Sequence, residues 1–357
     1  MPPQDLPHRP PLSPAVAAVR LAVREAVQAA VSEGDSVLVA LSGGPDSLAL
    51  AAATAFEAPK LGVRAGAVIV DHALQDGSAE VAEHAAETAR ALGLSPVIVS
   101  RVEVSSTNGP EAAARDARYR AIAAVADEAG ADRVLLGHTL DDQAETVLLG
   151  LARGAGAGSL KAMAAVSGRY LRPLLGIRRS VTTAACAADG MLPWTDPHNS
   201  DPAFTRVRVR DTVLPVLERE IGPGIAEALA RTAEQLREDA EAFDAMIDEF
   251  IEEICEPAEA GIAVSVASLA ANPAAIRNRI IRLVARSEFG QSLSRVHTVT
   301  IAGLVTDWHG QGPIDVPGIR VSRQDGRLVF TARGEQADPS LEQGAADEGA
   351  SGGAKHP

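Results

Sequence analysis

The stretch Val37-Leu38-Val39-Ala40-Leu41, followed by Ser42-Gly43-Gly44-Pro45-Asp46-Ser47 and then Leu48-Ala49-Leu50, constrains the fold most. An apolar, β-branched run reads as a buried strand, and the residues after Ser47 read as a helix. Two glycines between them let the chain turn sharply and bring backbone N–H groups close to an anion. The start of the following helix adds its positive end. Ser42 and Ser47 can donate hydroxyl hydrogen bonds. A Walker loop would carry Gly-Lys-Ser or Gly-Lys-Thr here, and this loop has no lysine. Asp46 would repel a phosphate directly, so its expected partner is a divalent cation such as magnesium. Asp46 or Ser47 as a plain helix cap is the simpler reading, but the complete six-residue string at a strand–helix junction favours a phosphate loop.

Alternation continues beyond the loop. Val37–Leu41, Ala67–Val70, Val97–Val99 and Val134–Leu136 read as buried strands, separated by helical stretches Leu48–Glu57, Ala79–Leu92 and Glu111–Ala129. This pattern predicts an α/β fold with a doubly wound parallel sheet, whose ligands bind beyond the carboxyl ends of the strands. Leu160–Ile221 reads as irregular and Arg-bearing, with one helix at Arg178–Asp189. Apolar spacing predicts a long or broken helix over Ile225–Cys255 and further helices at Ala274–Arg286 and Val296–Trp308. Ile314–Phe330 alternates like strands about a Gln324-Asp325-Gly326 turn. The expected organisation is a catalytic domain over 1–220, a smaller, mostly helical domain ending in a hairpin over 221–332, and a disordered Gly- and acid-rich tail over 333–357.

With 357 residues and 46% apolar composition, the chain can build two cores. It has no apolar run long enough for a bilayer and no signal-peptide profile at Met1–Pro14. Cys186 and Cys255 lie far apart, without metal-type spacing, and read as packing residues of a cytoplasmic protein. The formal charge of −14 argues against nucleic acid if taken as an average. The charge is uneven, however. Acids crowd Ala226–Glu256, whereas arginines cluster at 169–179, 206–210 and 277–286.

A second motif, Gly137-His138-Thr139-Leu140-Asp141-Asp142-Gln143-Ala144-Glu145-Thr146, continues to Gly156. On a helix, Asp141, Asp142 and Glu145 can share a face. Capping of the helix start accounts for some of this acidity. A histidine and three acids beside a nucleotide loop also suit magnesium or a protonated amine. Asp71 and His72 end another strand, in Val68–Leu74. Arg115, Arg118 and Tyr119 sit at helical spacings in Glu111–Ile122, where Glu111–Arg115 pairing on a solvated face is the plain reading. Arg206, Arg208 and Arg210 form a basic edge in Trp194–Arg210, or pair with Asp196 and Asp201.

The string Ser-Gly-Gly-x-Asp-Ser resembles the signature of the PP-loop ATP pyrophosphatases, which hold the pyrophosphate end of ATP with magnesium and cleave between the α and β phosphates. Within that group, the motif from Gly137 resembles the tRNA(Ile)-lysidine synthetases, and the other motifs, from Val37 to Arg210, follow the same order. Gln75 stands where that family carries arginine, and Val207 where it carries asparagine. The resemblance implies ATP as substrate, Mg2+ at Asp46 and Asp141, and nucleotide contacts from residues 42–47, Asp71 and His72. It further implies lysine held by Asp142 and Glu145, catalytic work by Asp46, His138, Asp142, Arg115 and Arg118, and tRNA contacts from Arg206, Arg208 and Arg210. The implied partners are L-lysine and tRNA(Ile) with a CAU anticodon, with a homodimer compatible. The implied reaction adenylates the wobble cytidine at its C2 oxygen, and lysine then displaces AMP. The rival readings are a PP-loop tRNA thiolase, which would need a sulfur-carrying cysteine near the site, and a nucleotide-binding regulator without turnover.

Overall fold

The computed structural model describes residues 12–71, 77–102, 110–154, 156–194, 201–258 and 261–333. His72, Gln75, Asp196, His198, Asn199 and the tail therefore lie outside the described residues. The chain divides into two compact units, Met1–Ala240 and Glu241–Pro357.

The first unit runs α1 (Pro14–Ala30), β1 (Ser36–Ala40), α2 (Pro45–Glu57), a 3-10 turn (Ala58–Leu61), β2 (Arg64–Asp71), α3 (Ser78–Ala91), β3 (Val97–Arg101) and α4 (Pro110–Glu128). It continues with β4 (Arg133–Leu135), α5 (Leu140–Ala152), α6 (Ala157–Leu160), β5 (Val166–Ser167), β6 (Tyr170–Leu171) and α7 (Arg179–Ala188). It then passes through α8 (Thr205–Arg208), a π-helical turn (Val209–Val213) and α9 (Leu214–Glu220). The sheet order is β3-β2-β1-β4-β6-β5, parallel except for the β5–β6 hairpin.

The doubly wound parallel sheet read from the sequence is present. On β1, Val37 and Val39 join a core with α1, α2, α3 and α7, while Leu38 joins the core under α4. Burial on both faces is why this strand reads as a continuous apolar run rather than an alternating one. From β1 the chain winds outward through β2 to β3, then returns to place β4 on the other side of β1. The order reverses between β1 and β4, and a ligand crevice is expected beyond their carboxyl ends. The loop at Ser42 and the segment at Gly137 are the continuations of those two strands.

Two parts of this unit differ from the sequence expectation. Helix α1 was not anticipated; Val16, Val19, Val23 and Val27 form its buried stripe, each contributing about 1.5–3 kcal/mol of transfer energy. The region expected to be irregular up to Ile221 carries the nearly continuous helical run Thr205–Glu220. Its π turn inserts a residue without ending the helix, a device that often marks functional sites.

α10 (Ile225–Asp248) carries the chain from the first unit into the second. Then follow α11 (Ile251–Ile254), β7 (Cys255–Ala258), β8 (Gly261–Ser265), α12 (Val266–Ala271), α13 (Ala274–Phe289) and α14 (Arg295–Thr306). The chain ends its described part with β9 (Ile314–Val316), β10 (Ile319–Gln324) and β11 (Arg327–Ala332). The expected hairpin is β10–β11, turning through Asp325 and Gly326, both at positive φ. It belongs to a five-stranded antiparallel sheet of order β7-β8-β11-β10-β9. Cys255, expected to end a helix, instead begins a strand. The helical period of Ile247, Phe250 and Ile254 runs through the break and conceals it. Gly261 is required by packing, since a Cβ there would lie 1.9 Å from the Phe330 carbonyl oxygen.

Candidate active site

The loop after β1 is built by its own residues. Gly43 takes φ +82°, a conformation open to glycine at little cost. Gly44 is the N-cap of α2, and Pro45 starts the helix with φ already set. Ser47 Oγ donates to the Gly44 carbonyl at 3.0 Å, accepts from the Ser42 N–H at 3.2 Å and lies 3.1 Å from Ser42 Oγ. The Trp194 N–H donates to the Gly43 carbonyl at 3.0 Å, tying the start of the Trp194–Arg210 stretch to this loop. A Cβ on Gly137 would stand 3.2 Å from Asp46 and Ser47 backbone atoms, so β4's continuation presses against the loop from behind.

Asp46 lies in the first turn of α2. Burial pushes its carboxyl above the usual carboxylate range, while Thr182 and Arg179 pull the other way. Thr182 donates to Asp46 Oδ1, and Arg179 Nε lies 3.3 Å from Oδ2. Both partners come from the first turn of α7. The sequence placed Arg179 only in a cluster and did not single out Thr182; no local spacing joins either one to Asp46.

Arg179 also reaches the second motif. Its Nη2 donates to Asp142 Oδ1 at 3.0 Å and its Nη1 to Glu145 Oε1 at 3.1 Å. Its backbone N–H donates to Asp141 Oδ2 at 2.7 Å. One residue therefore joins the loop acid to all three acids of α5. Asp142 Oδ2 takes the Thr139 N–H and hydroxyl at 2.8 and 2.9 Å, fixing the helix start. Burial works against the Asp142 charge, but Arg179, the Thr139 N–H and His138 hold its carboxyl below the usual range.

Glu145 has no exposed surface. Besides Arg179, it receives Arg210 Nε at 2.8 Å and lies 3.1 Å from Arg206 Nε. Arg206, Arg208 and Arg210 are therefore not one edge. On the helical turn, positions 206 and 210 face inward to Glu145, while Arg208 stays exposed and bonds to the Ala203 carbonyl and Thr205 hydroxyl.

His138 follows β4, and its Nδ1 is buried with no hydrogen-bond partner among the described residues. Burial pushes the imidazole down to about 4; Asp142 opposes this and Arg172, Arg118 and Arg115 reinforce it. Burial likewise lowers the Arg118 guanidinium, with Arg115 and Arg206 adding to the effect. Arg115 and Arg118 sit 5.2 and 5.8 Å from the Tyr119 ring centroid, within reach of its face. Asp71 is buried at the end of β2, with Arg101 Nε 3.9 Å away.

Beside the acids of α5 lies a cavity of about 120 Å3, lined by Asp141, Glu145, Arg178, Arg179, Arg210 and Glu218. Leu214, Pro215 and Ala226 give it an apolar side. The described residues contain no group of three or more His, Cys, Asp or Glu side chains placed to hold a metal. Magnesium usually takes one or two carboxylates and completes its shell with substrate phosphates and water. Asp46, partly exposed at the phosphate loop, offers such a carboxylate.

A phosphate loop of this sequence at the switch point of a parallel sheet, faced by acids and arginines, defines an ATP-using PP-loop protein. Residues 18–217 match the PP-loop domain, and residues 265–329 match the TilS substrate binding domain. The chain is 61% identical over 301 residues to the tRNA(Ile)-lysidine synthase of Leifsonia xyli subsp. xyli, covering 84% of this chain and 91% of that one. It is 53% identical to the tRNA(Ile)-lysidine synthase of Thermobifida fusca, covering 89% and 98%. The chain belongs to the tRNA(Ile)-lysidine synthase family. Among solved structures it is similar in fold to the U34-tRNA thiolase NcsA from Methanococcus maripaludis with its [4Fe-4S] cluster. That likeness has a TM-score of 0.54 and 18% identity, covering 63% of this chain and 80% of that one.

Proposed function

We propose that this chain is an ATP-dependent ligase that joins lysine to C2 of the wobble cytidine in a tRNA(Ile) with a CAU anticodon. The C2 oxygen attacks the α-phosphate of ATP, pyrophosphate leaves, and the ε-amine of lysine then displaces AMP. The observation that carries this reading is the linkage of phosphate loop and amine-binding acids through Arg179.

A ring oxygen is a poor leaving group, and adenylation makes it a good one. The N–H groups of Gly43, Gly44, Asp46 and Ser47, at the start of α2, receive the departing pyrophosphate. Asp46 would hold magnesium, which neutralises phosphate charge when bound. Burial keeps His138 neutral near pH 7, and its Nδ1 has no hydrogen-bond partner among the described residues. Arg115 and Arg118 supply planar cations suited to a base or phosphate.

Asp142 and Glu145 hold the lysine end. Arg179, Arg206 and Arg210 balance Asp46, Asp142 and Glu145, while beside them, joined through the Arg179 N–H to Asp141, Arg178 alone faces Asp141, Glu218 and Glu227. That excess of negative charge favours a cation such as lysine. An unpaired anticodon base can be splayed into the crevice. The second unit and Arg208 would grip the rest of the tRNA, and the reaction would take place in the cytoplasm.

The thiolase reading fares less well. Cys186 is buried, with its thiol pushed up to about 11 by burial and by Asp46, and its Sγ–H donates to the Pro45 carbonyl. Such a thiol is a packing group rather than a nucleophile. The deciding assay incubates the chain with ATP, magnesium, labelled lysine and tRNA(Ile) transcripts. Label is expected in transcripts with CAU anticodons and not in those with GAU; equal labelling would refute the reading.

A further inference from the structure

From Ala274 to Thr306 the chain carries Arg277, Arg279, Arg282, Arg286 and Arg295 against Glu288 alone. Helix α13 sorts these charges. It buries Ile276, Ile280, Ile281, Val284 and Ala285. Arg279, Arg282 and Arg286, spaced three and four apart, share the opposite side as one stripe. Arg279 is engaged, with Nη1 3.1 Å from Asp244 and its guanidinium 4.9 Å from the Phe243 ring centroid. Arg282 and Arg286 are exposed, as is Arg295 at the head of α14, and their guanidinium groups make no hydrogen bond or salt bridge among the described residues. Partial burial, then Arg279 and Arg295, lower the Arg282 guanidinium, so the three cations lie close together. Burial, then Glu288, push the Cys255 thiol up to about 11, so Glu288 serves another side of the helix. Next to Arg295, Val296 and Val299 are 72% and 49% exposed. A cationic stripe bordered by exposed apolar side chains is thus left without a partner among the described residues.

The same unit carries a complementary segment. Residues 334–357 include Glu335, Asp338, Glu342, Asp347 and Glu348, with no Lys or Arg before Lys355. Leu341 stands between Asp338 and Glu342. Acidic stretches of this kind are often interaction segments. This one follows β11 closely and is therefore tethered to the unit that holds α13. About fifteen residues of such composition reach about 20 Å, against a radius of gyration of about 12 Å for a unit of this size. Tethering over that span gives an effective concentration in the millimolar range.

We propose that residues 335–348 dock on the arginine stripe of α13 and the start of α14, in the place of RNA phosphates. The carboxylates pair with Arg282, Arg286 and Arg295, and Leu341 covers Val296 and Val299. RNA has to displace the segment to reach these arginines. The segment is therefore an intramolecular competitor, strongest at low salt, where its ion pairs are least screened. The competition rests on the reading that tRNA meets this face; the docking does not.

The test uses the full chain and a full-length variant combining Glu335→Gln, Asp338→Asn, Glu342→Gln, Asp347→Asn and Glu348→Gln. Without RNA, both are treated with phenylglyoxal, an arginine-selective dicarbonyl, and modification is mapped by mass spectrometry. At low salt, Arg282, Arg286 and Arg295 should react about two- to fivefold faster in the variant, the factor for losing exposed ion pairs. Arg153, exposed in the first unit, should react equally in both. In the unaltered chain alone, the three arginines should gain reactivity relative to Arg153 as salt rises to about 0.5 M. That second comparison needs no substitution, so misfolding cannot mask it. Equal rates in the two chains, or no gain with salt, would overturn the docking. Filter binding of a CAU transcript then reads the competition. The variant should bind about three- to tenfold tighter at low salt, and its log affinity should fall more steeply against log salt. Protection of the arginines without any gain in RNA affinity would overturn the competition and keep tRNA off this face, while leaving the docking in place.

Discussion

Glu145 shows how far a residue's role depends on what surrounds it. A fully buried carboxylate touching three arginines is a structural keystone as well as a candidate ligand. Glu145→Ala would leave three guanidiniums facing one another, and breaking a buried ion pair costs about 3–5 kcal/mol. A lowered urea midpoint is expected with every substrate step impaired; an unchanged midpoint would count against the buried network. Asp46→Ala should abolish tRNA-dependent pyrophosphate release at an almost unchanged midpoint, and a normal rate would remove Asp46 from the mechanism. His138 gives a pH signature. Its folded value near 4 lies below the ordinary 6.5, so the unfolded chain takes up the proton first as pH falls. Its stabilising contribution is complete above about pH 6.5 and is lost towards pH 4. Thermal melts of His138→Gln across that window should fall less steeply than those of the unaltered chain. The acids, the loop and His138 were legible in the sequence because each sits in a contiguous string. Arg179 and Thr182 were not, because their common partner Asp46 is more than 130 residues away.

At the level of elements, the phosphate loop relies on two glycines for different reasons. Gly43 needs positive φ, so Gly43→Ala strains the turn by about 1–2 kcal/mol. Gly137 needs space, since its missing Cβ is what lets the end of β4 approach Asp46. Both alanine variants should raise the KM for ATP more than that for lysine, as read from initial rates; a selective effect on lysine would mean the loop is not the nucleotide cradle. The central strands and flanking helices could be read ahead because burial on both faces leaves a plain apolar run. Strands β7 and β8 could not, since they are short, and the pairing of β8 with β11 is decided by a distant hairpin. The helix at Thr205–Glu220 was hidden by its π turn, which shifts the apolar period in mid-course.

Across the whole molecule, a charge of −14 has to coexist with a polyanionic substrate. Local concentration of arginine would resolve the conflict. In the second unit, partial burial together with nearby Arg279 and Arg295 lowers the Arg282 guanidinium, a sign of crowded positive charge. A phosphate would relieve that crowding. Replacing Arg282 by glutamine should reduce the slope of log affinity for tRNA against log salt by about 1, as for loss of one phosphate contact. Filter binding over a salt series measures it, and an unchanged slope would clear Arg282 of contact with RNA. Such a surface cannot be read from composition, because acids of α10 cancel the arginines in any average.

Arg179 and Thr182 stand one turn apart at the head of α7, and both hold Asp46. The helix is thereby a lever with its short arm on the phosphate loop. A slight tilt would slacken Asp46 and, through the same guanidinium, tug Asp142 and Glu145 on the far side. Substitutions along the hidden flank of α7, at the buried Ala185 or Cys186, would therefore disturb adenylation and amine capture together.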